Sequence, residues 1–97
     1  MMDQSSQWDY NNAMSQGDWH YSAGQSKESS HYYSDSRSHY RDAISYYEKA
    51  SSIARSCGDG WAASSADSKA NSARYALRES KYKEEEEYAR KNGMGMW

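Results

Sequence analysis

Apolar positions keep a sustained helical beat in one stretch of the chain, Tyr40 to Cys57. Tyr40, Ala43, Tyr47, Ala50, Ala54 and Cys57 follow at steps of 3, 4, 3, 4 and 3, which lays six side chains along one stripe of a helix. Ile44 and Ile53 widen that stripe. Gly58-Asp59-Gly60 stops the helix, because glycine accepts the left-handed conformation in which helices commonly end. From Trp61 a second pattern begins. Ala62 or Ala63, then Ala66, Ala70, Ala73 and Leu77 recur at steps of 3 or 4 and give a helix with a small-residue face. Small residues permit close approach, so this face is the natural mate of the bulkier tyrosine face, and the two predict an antiparallel helical hairpin. Tyr40, Ile44 and Tyr47 should then be core, with Tyr46, Glu48 and Lys49 nearer the edge.

The flanks are weaker. Arg78-Glu79-Ser80-Lys81 interrupts the pattern, and Tyr82–Lys91 resumes as a charged helix. There Glu86 with Arg90 and Glu87 with Lys91 stand four apart in the favourable order, each pair worth about 0.3–0.5 kcal/mol. Asn92-Gly93 ends it, and Met94–Trp97 reads as an apolar tail. Upstream, Gln25–Arg37 carries a feeble helical pattern, with Ser36 or Ser38 as candidate caps of the following helix. Between Met1 and Gly24, Trp8, Tyr10, Met14, Trp19 and Tyr21 are scattered without a period longer than a turn, apart from a short helix expected near Asp9–Ser15. The expected fold is therefore all-α: a small antiparallel helical bundle or repeat-like stack of three to four helices. It divides into a poorly ordered, aromatic-containing arm over residues 1–24 and a helical domain over residues 25–97.

Composition changes what the core must be made of. The 97 residues allow one domain, and they include no Phe, Val, Thr or Pro, one Leu and two Ile, against 19 Ser, 12 Ala and 10 Tyr. Tyrosine and tryptophan rings, methionine and alanine have to fill the interior, and stability should be marginal. Twelve basic and 14 acidic residues are mixed along the chain without a basic block, which argues against nucleic acid as a partner. No apolar run approaches the roughly 20 residues of a membrane span, and the first ten residues lack the pattern of a signal peptide, so the expected setting is cytoplasmic with no membrane partner. Cys57 is the only cysteine and excludes an internal disulfide framework.

Candidate chemistry is sparse. His31, Asp35 and His39 are spaced 4 and 4, so one continuous helix would offer two imidazoles and a carboxylate along one edge, as zinc requires. The Ser-rich stretch between them favours exposed polar residues instead, and no resident metal or other cofactor is expected. Glu84 to Glu87 read as a solvated, ion-paired face rather than as an acid–base pair. Cys57 sits at the negative end of a helix dipole, where a thiolate is disfavoured. Phosphate loops, HExxH and nucleophile elbows do not occur in the sequence. An enzyme is not expected.

Tyr40, Ala43, Tyr46-Tyr47-Glu48-Lys49-Ala50, Ile53-Ala54-Arg55 and Gly58-Asp59 resemble the second helix and exit turn of a tetratricopeptide repeat, especially the longer repeats that bind cytoskeletal and polarity proteins. Asn71, Ala73, Tyr75 and Ala76, followed by Lys81-Tyr82 and Tyr88-Ala89-Arg90-Lys91, resemble a second copy, with Tyr40 and Tyr82 42 residues apart against the commoner spacing of about 34. Glu85 departs from the small residue of that pattern, and no proline closes either copy. The resemblance covers about half the chain and implies helix pairs stacked so that a concave face binds peptides. The expected function is accordingly a protein–protein interaction module that binds a peptide or protein through a Tyr/Trp-rich helical surface, with Trp19, Tyr32, Tyr46 and Trp61 as the partner-binding candidates. The alternative is a structural or self-associating helical protein, a homo-oligomer or a generated scaffold with no natural ligand. A largely disordered polar chain is the third reading.

Overall fold

Asp3 opens the first helix by accepting a hydrogen bond from the Ser6 amide at 2.7 Å, which satisfies one of the orphan donors of the first turn. In the computed structural model, which describes residues 2–93, that helix is α1 (Gln4–Ser29); α2 (Tyr33–Ser56) and α3 (Gly60–Lys91) follow. The described residues are all-α, with no strand among them. No helix among them is long and apolar enough to cross a membrane.

Both turns use the same hydrogen-bonded ending. After α2, the Asp59 amide donates to Ala54 O (2.9 Å) and the Gly58 amide to Arg55 O (3.1 Å), with Gly58 at φ 69°. After α1, the Tyr32 amide donates to Lys27 O (2.9 Å) and the His31 amide to Glu28 O (3.0 Å), with His31 in the left-handed position at φ 66°. Glycine occupies that position without penalty; histidine pays roughly 1 kcal/mol there. Asp59 then caps α3 through the Ala62 amide at 3.1 Å.

The middle helix is the hub. Its buried positions Tyr33, Ser36, Tyr40, Ala43, Tyr47, Ala50 and Ala54 alternate at steps of 3 and 4, and α3 answers with Ala63, Ala66, Ala70 and Ala73 at the same rhythm. This is the near-antiparallel packing of coiled coils, drawn tight because alanine faces alanine. On its other flank α2 meets Tyr10, Ala13, Gly17 and Gly24 of α1, again at steps of 3, 4 and 7. The Tyr47 ring lies directly over Gly17 and the Tyr40 ring over Gly24, so a Cβ on either glycine would stand 2.5 Å or 2.6 Å from the ring. Both rings are at most 2% exposed. Burying a ring of this size contributes roughly 1.5–3 kcal/mol, which exceeds the roughly 1 kcal/mol that a mid-helix glycine costs against alanine.

Side chains rather than a seam join α1 to α3. The Tyr10 hydroxyl donates to Ala62 O at 3.0 Å, Lys69 reaches Asp18 at 3.0 Å, and Lys83 reaches Glu28 at 2.8 Å. At the far end Glu87 of α3 receives His31 and Tyr33 from the α1–α2 turn at 2.7 Å and 2.8 Å.

The expected α2–α3 hairpin is present, with Tyr40 and Tyr47 in the core, Ile44 only partly buried against it and Tyr46 partly covered at the edge. Four local expectations are corrected. Residues 4–24, expected to be an irregular arm, belong to α1, because glycine carries the period where a hydrophobic residue was sought. Ser36 and Ser38 cap nothing: α2 begins at Tyr33, and Ser36 is buried inside it, donating to Gly24 O at 2.8 Å. Arg78–Lys81 interrupts nothing, since α3 runs through it with Ser80 on the seam, so the turn that a second repeat copy would need there is replaced by continuous helix. Glu86–Arg90 and Glu87–Lys91 pair as expected, at 3.0 Å and 3.3 Å. The fourth concerns Gln25–Arg37, which is split between the last turn of α1, a turn and the first turn of α2. The tail over 94–97 lies outside the described residues.

Two alanine substitutions should move stability in opposite directions. Gly17→Ala would ordinarily gain about 1 kcal/mol of helix propensity, but Tyr47 is walled in and its hydroxyl is tied to Asp18, so overpacking of about 1–3 kcal/mol should leave a net loss. Ser80 buries its hydroxyl without a hydrogen-bond partner, so Ser80→Ala should gain about 1 kcal/mol. Urea denaturation of both variants measures this; a raised midpoint for Gly17→Ala would contradict the close-approach geometry.

Candidate functional site

The glycines that admit the tyrosine rings also decide what else meets across α1 and α2. His20 lies three residues after Gly17 and four before Gly24, on the same seam, and His39 lies three after Ser36 on the facing stripe. The close approach therefore sets imidazole against imidazole: Nδ1 of His20 is 3.1 Å from Nδ1 of His39. Asp42, one turn beyond His39, places Oδ2 3.8 Å from the same His20 nitrogen. One donor atom from each of the three residues lies within 4.8 Å of the others.

Aromatic rings hold the pair. Trp19 meets both imidazoles edge-on, at centroid distances of 4.9 Å and 5.8 Å, and Tyr46 stacks on His20 at 5.5 Å with planes 10° apart. His20 keeps 17% of its side-chain surface and Asp42 55%, so the cluster has a covered floor and an open mouth.

Two further features frame the molecule. A cleft of about 570 Å³ between α2 and α3 is lined by Arg37, Arg41, Arg74, Arg78 and Lys81, with Glu84 and Glu85 at one side. Arg37 lies 2.7 Å from Glu84 and Arg74 2.5 Å from Glu48. At the turn end, the Tyr33 hydroxyl donates to Glu87 and lies 3.0 Å from His31 Nδ1, and the bonds to Glu87 push the Tyr33 phenol up. Glu87 itself is held down at about 2, from an ordinary 4.5, first by its hydrogen bond to His31, then by Tyr33 and Lys91. In the middle, burial and the 2.5 Å hydrogen bond to Asp18 push the Tyr47 phenol well above its usual range.

The partner-binding candidates fall in three places. Trp19 and Tyr46 come together around the histidine pair. Tyr32 stands 60% exposed at the α1–α2 turn with Lys27 5.6 Å from its ring, and Trp61 stands 88% exposed at the start of α3, at the other end of the bundle. His31, Asp35 and His39 do not converge: His31 turns to Glu87, and His39 turns to His20. Sequence reasoning missed His20 and Asp42. The signal was His39–Asp42 at a spacing of 3, opposite a histidine between two glycines seven apart, legible only once residues 4–24 are read as helix. The acidic run is spent on ion pairs, with Glu84, Glu86 and Glu87 each bound to a cation or donor. No family model matches the chain, and comparison with curated proteins and with solved structures gives no match.

Because the folded-state pKa of Glu87 is depressed, its contribution to stability is complete above about pH 4.5 and is lost as pH falls towards about 2. Glu87→Gln should therefore lower the urea midpoint at neutral pH and flatten its decline between those two values. Parallel pH profiles for the variant and the parent would contradict the end cluster.

Proposed function

We propose that this chain is a protein-interaction module that binds a protein partner through an aromatic face of α3 whose first half, from Trp61 to Tyr75, is uncharged. The observation that carries this reading is the run Trp61, Tyr75 and Tyr82, spaced by multiples of seven on the side of α3 away from the alanine seam and 88%, 61% and 57% exposed. Between the first two, the outward positions are Ser64, Ser65, Ser68, Asn71 and Ser72, all exposed and none charged. The three charges in that interval are engaged, Asp67 by Arg55, Lys69 by Asp18 and Arg74 by Glu48.

A solvated helix face normally carries charge. Depletion of charge with Tyr and Trp retained is the composition of interface centres, and rings framed by serine make up the adaptable binding surfaces of paratopes. The partner that suits it presents an apolar, weakly charged patch of its own. The resemblance of residues 40–59 to the second helix and exit turn of a tetratricopeptide repeat supports the same class, in which helix pairs bind peptides. The second reading is self-association: a seven-residue stripe can pair with its own copy about a two-fold axis.

A photo-crosslinking residue at position 75, in cells that express the protein, tests this. The expected result is a discrete protein adduct that disappears when Trp61→Ser and Tyr82→Ser are added, while helicity and melting temperature stay close to the parent, since both side chains are exposed. An adduct of twice the chain mass supports the second reading instead, and absence of any discrete adduct overturns both.

A further inference from the structure

The interaction face on α3 leaves the histidine cluster on the opposite flank without a role. We propose that His20, His39 and Asp42 form a three-ligand site for a divalent first-row transition metal with zinc-like preferences, bound between α1 and α2.

The donor set selects that class. Two imidazole nitrogens and one carboxylate oxygen suit zinc and its neighbours, whereas magnesium and calcium require oxygen-rich cages. The geometry agrees. In a tetrahedral zinc site with bonds near 2.0–2.1 Å, ligand atoms stand about 3.3 Å apart, and the two Nδ1 atoms here stand 3.1 Å apart. Asp42 Oδ2, at 3.8 Å from His20 Nδ1, belongs to a half-exposed side chain that needs only a small rotation to close the triangle.

Two imidazoles that meet through the same ring atom form a hydrogen bond only if one of them carries its proton on Nδ1. A cation removes that asymmetry: both rings ligate through Nδ1 and keep their protons on Nε2. The rings are also fixed beforehand, His20 by the Tyr46 stack and both by the edge of Trp19. Pre-fixing extends to the backbone, because Gly17 and Gly24 set the α1–α2 distance independently of any ion. Three protein ligands leave a fourth position open past Asp42, for water or for a donor from outside the chain.

Binding here would tie α1 to the α2–α3 hairpin, so metal affinity and α1 docking are linked. The test titrates the full chain, freed of metal by a chelator, with Zn²⁺ by calorimetry and with Co²⁺ by visible absorption. One equivalent should bind, with low-symmetry Co²⁺ bands and a rise in melting temperature. His20→Ala and His39→Ala should each weaken binding by at least about 100-fold, and Asp42→Asn by about 10-fold. His31→Ala, distant from the cluster, should leave affinity unchanged, and Mg²⁺ should not compete. Because Asp42 is half exposed, Asp42→Asn keeps the test alive if a histidine variant fails to fold. Absence of saturable uptake at millimolar Zn²⁺, or equal uptake by parent, His39→Ala and Asp42→Asn, would overturn the site and leave the pair as a hydrogen bond between two helices.

Discussion

Close approach of the helices is the constraint on which the structure depends. A chain with one leucine and two isoleucines cannot fill the ordinary gap between helices with aliphatic side chains. It removes the gap instead. Alanine meets alanine along α2 and α3, and on the other flank of α2 two tyrosine rings sit in the spaces left by two glycines. Each ring supplies area that the missing aliphatics would have supplied, and each glycine pays a helix cost that the ring offsets. Ser36 fits the same scheme: a small side chain on the seam, close enough to donate to a carbonyl of the neighbouring helix.

What the seam does not hold, charge and hydrogen bonds do. Contacts between α1 and α3 run through Tyr10, Asp18, Glu28 and their partners, and the turn end is gathered on Glu87. Exposed pairs of this kind contribute little singly, so the ends should yield before the middle. The same geometry creates the site with chemistry in it. Helices held this near to one another force His20 and His39 together, and the rings beside them are Trp19 and Tyr46, two of the four aromatic candidates. The uncharged exposed face lies elsewhere, on α3, where Trp61 and Tyr75 are separated by serine and asparagine.

Much of this was legible in the sequence, and the parts that were not share a cause. The α2–α3 hairpin could be read because tyrosine and alanine mark its period and Gly58 marks its end. The first helix could not, because its period is written in Gly17 and Gly24, residues that hydropathy does not count and that ordinarily argue against helix. Its end was hidden too, since His31 takes the left-handed position in which glycine is expected. With α1 unread, His20 had no known neighbour, and the histidine spacing on the chain pointed to His31, Asp35 and His39 instead. Of the four aromatic candidates, proximity joined only Trp19 and Tyr46, through a tertiary contact that no local spacing encodes.

The most direct test of the account is to observe the rings over the glycines. In a nuclear Overhauser spectrum of the protein, the Hα protons of Gly17 should show strong contacts to the Tyr47 ring and those of Gly24 to the Tyr40 ring, with both glycines shifted upfield by the ring currents. Glycine Hα signals at ordinary positions, without contacts to either ring, would mean that the helices do not approach as described and would remove the basis for the core and for the histidine site together.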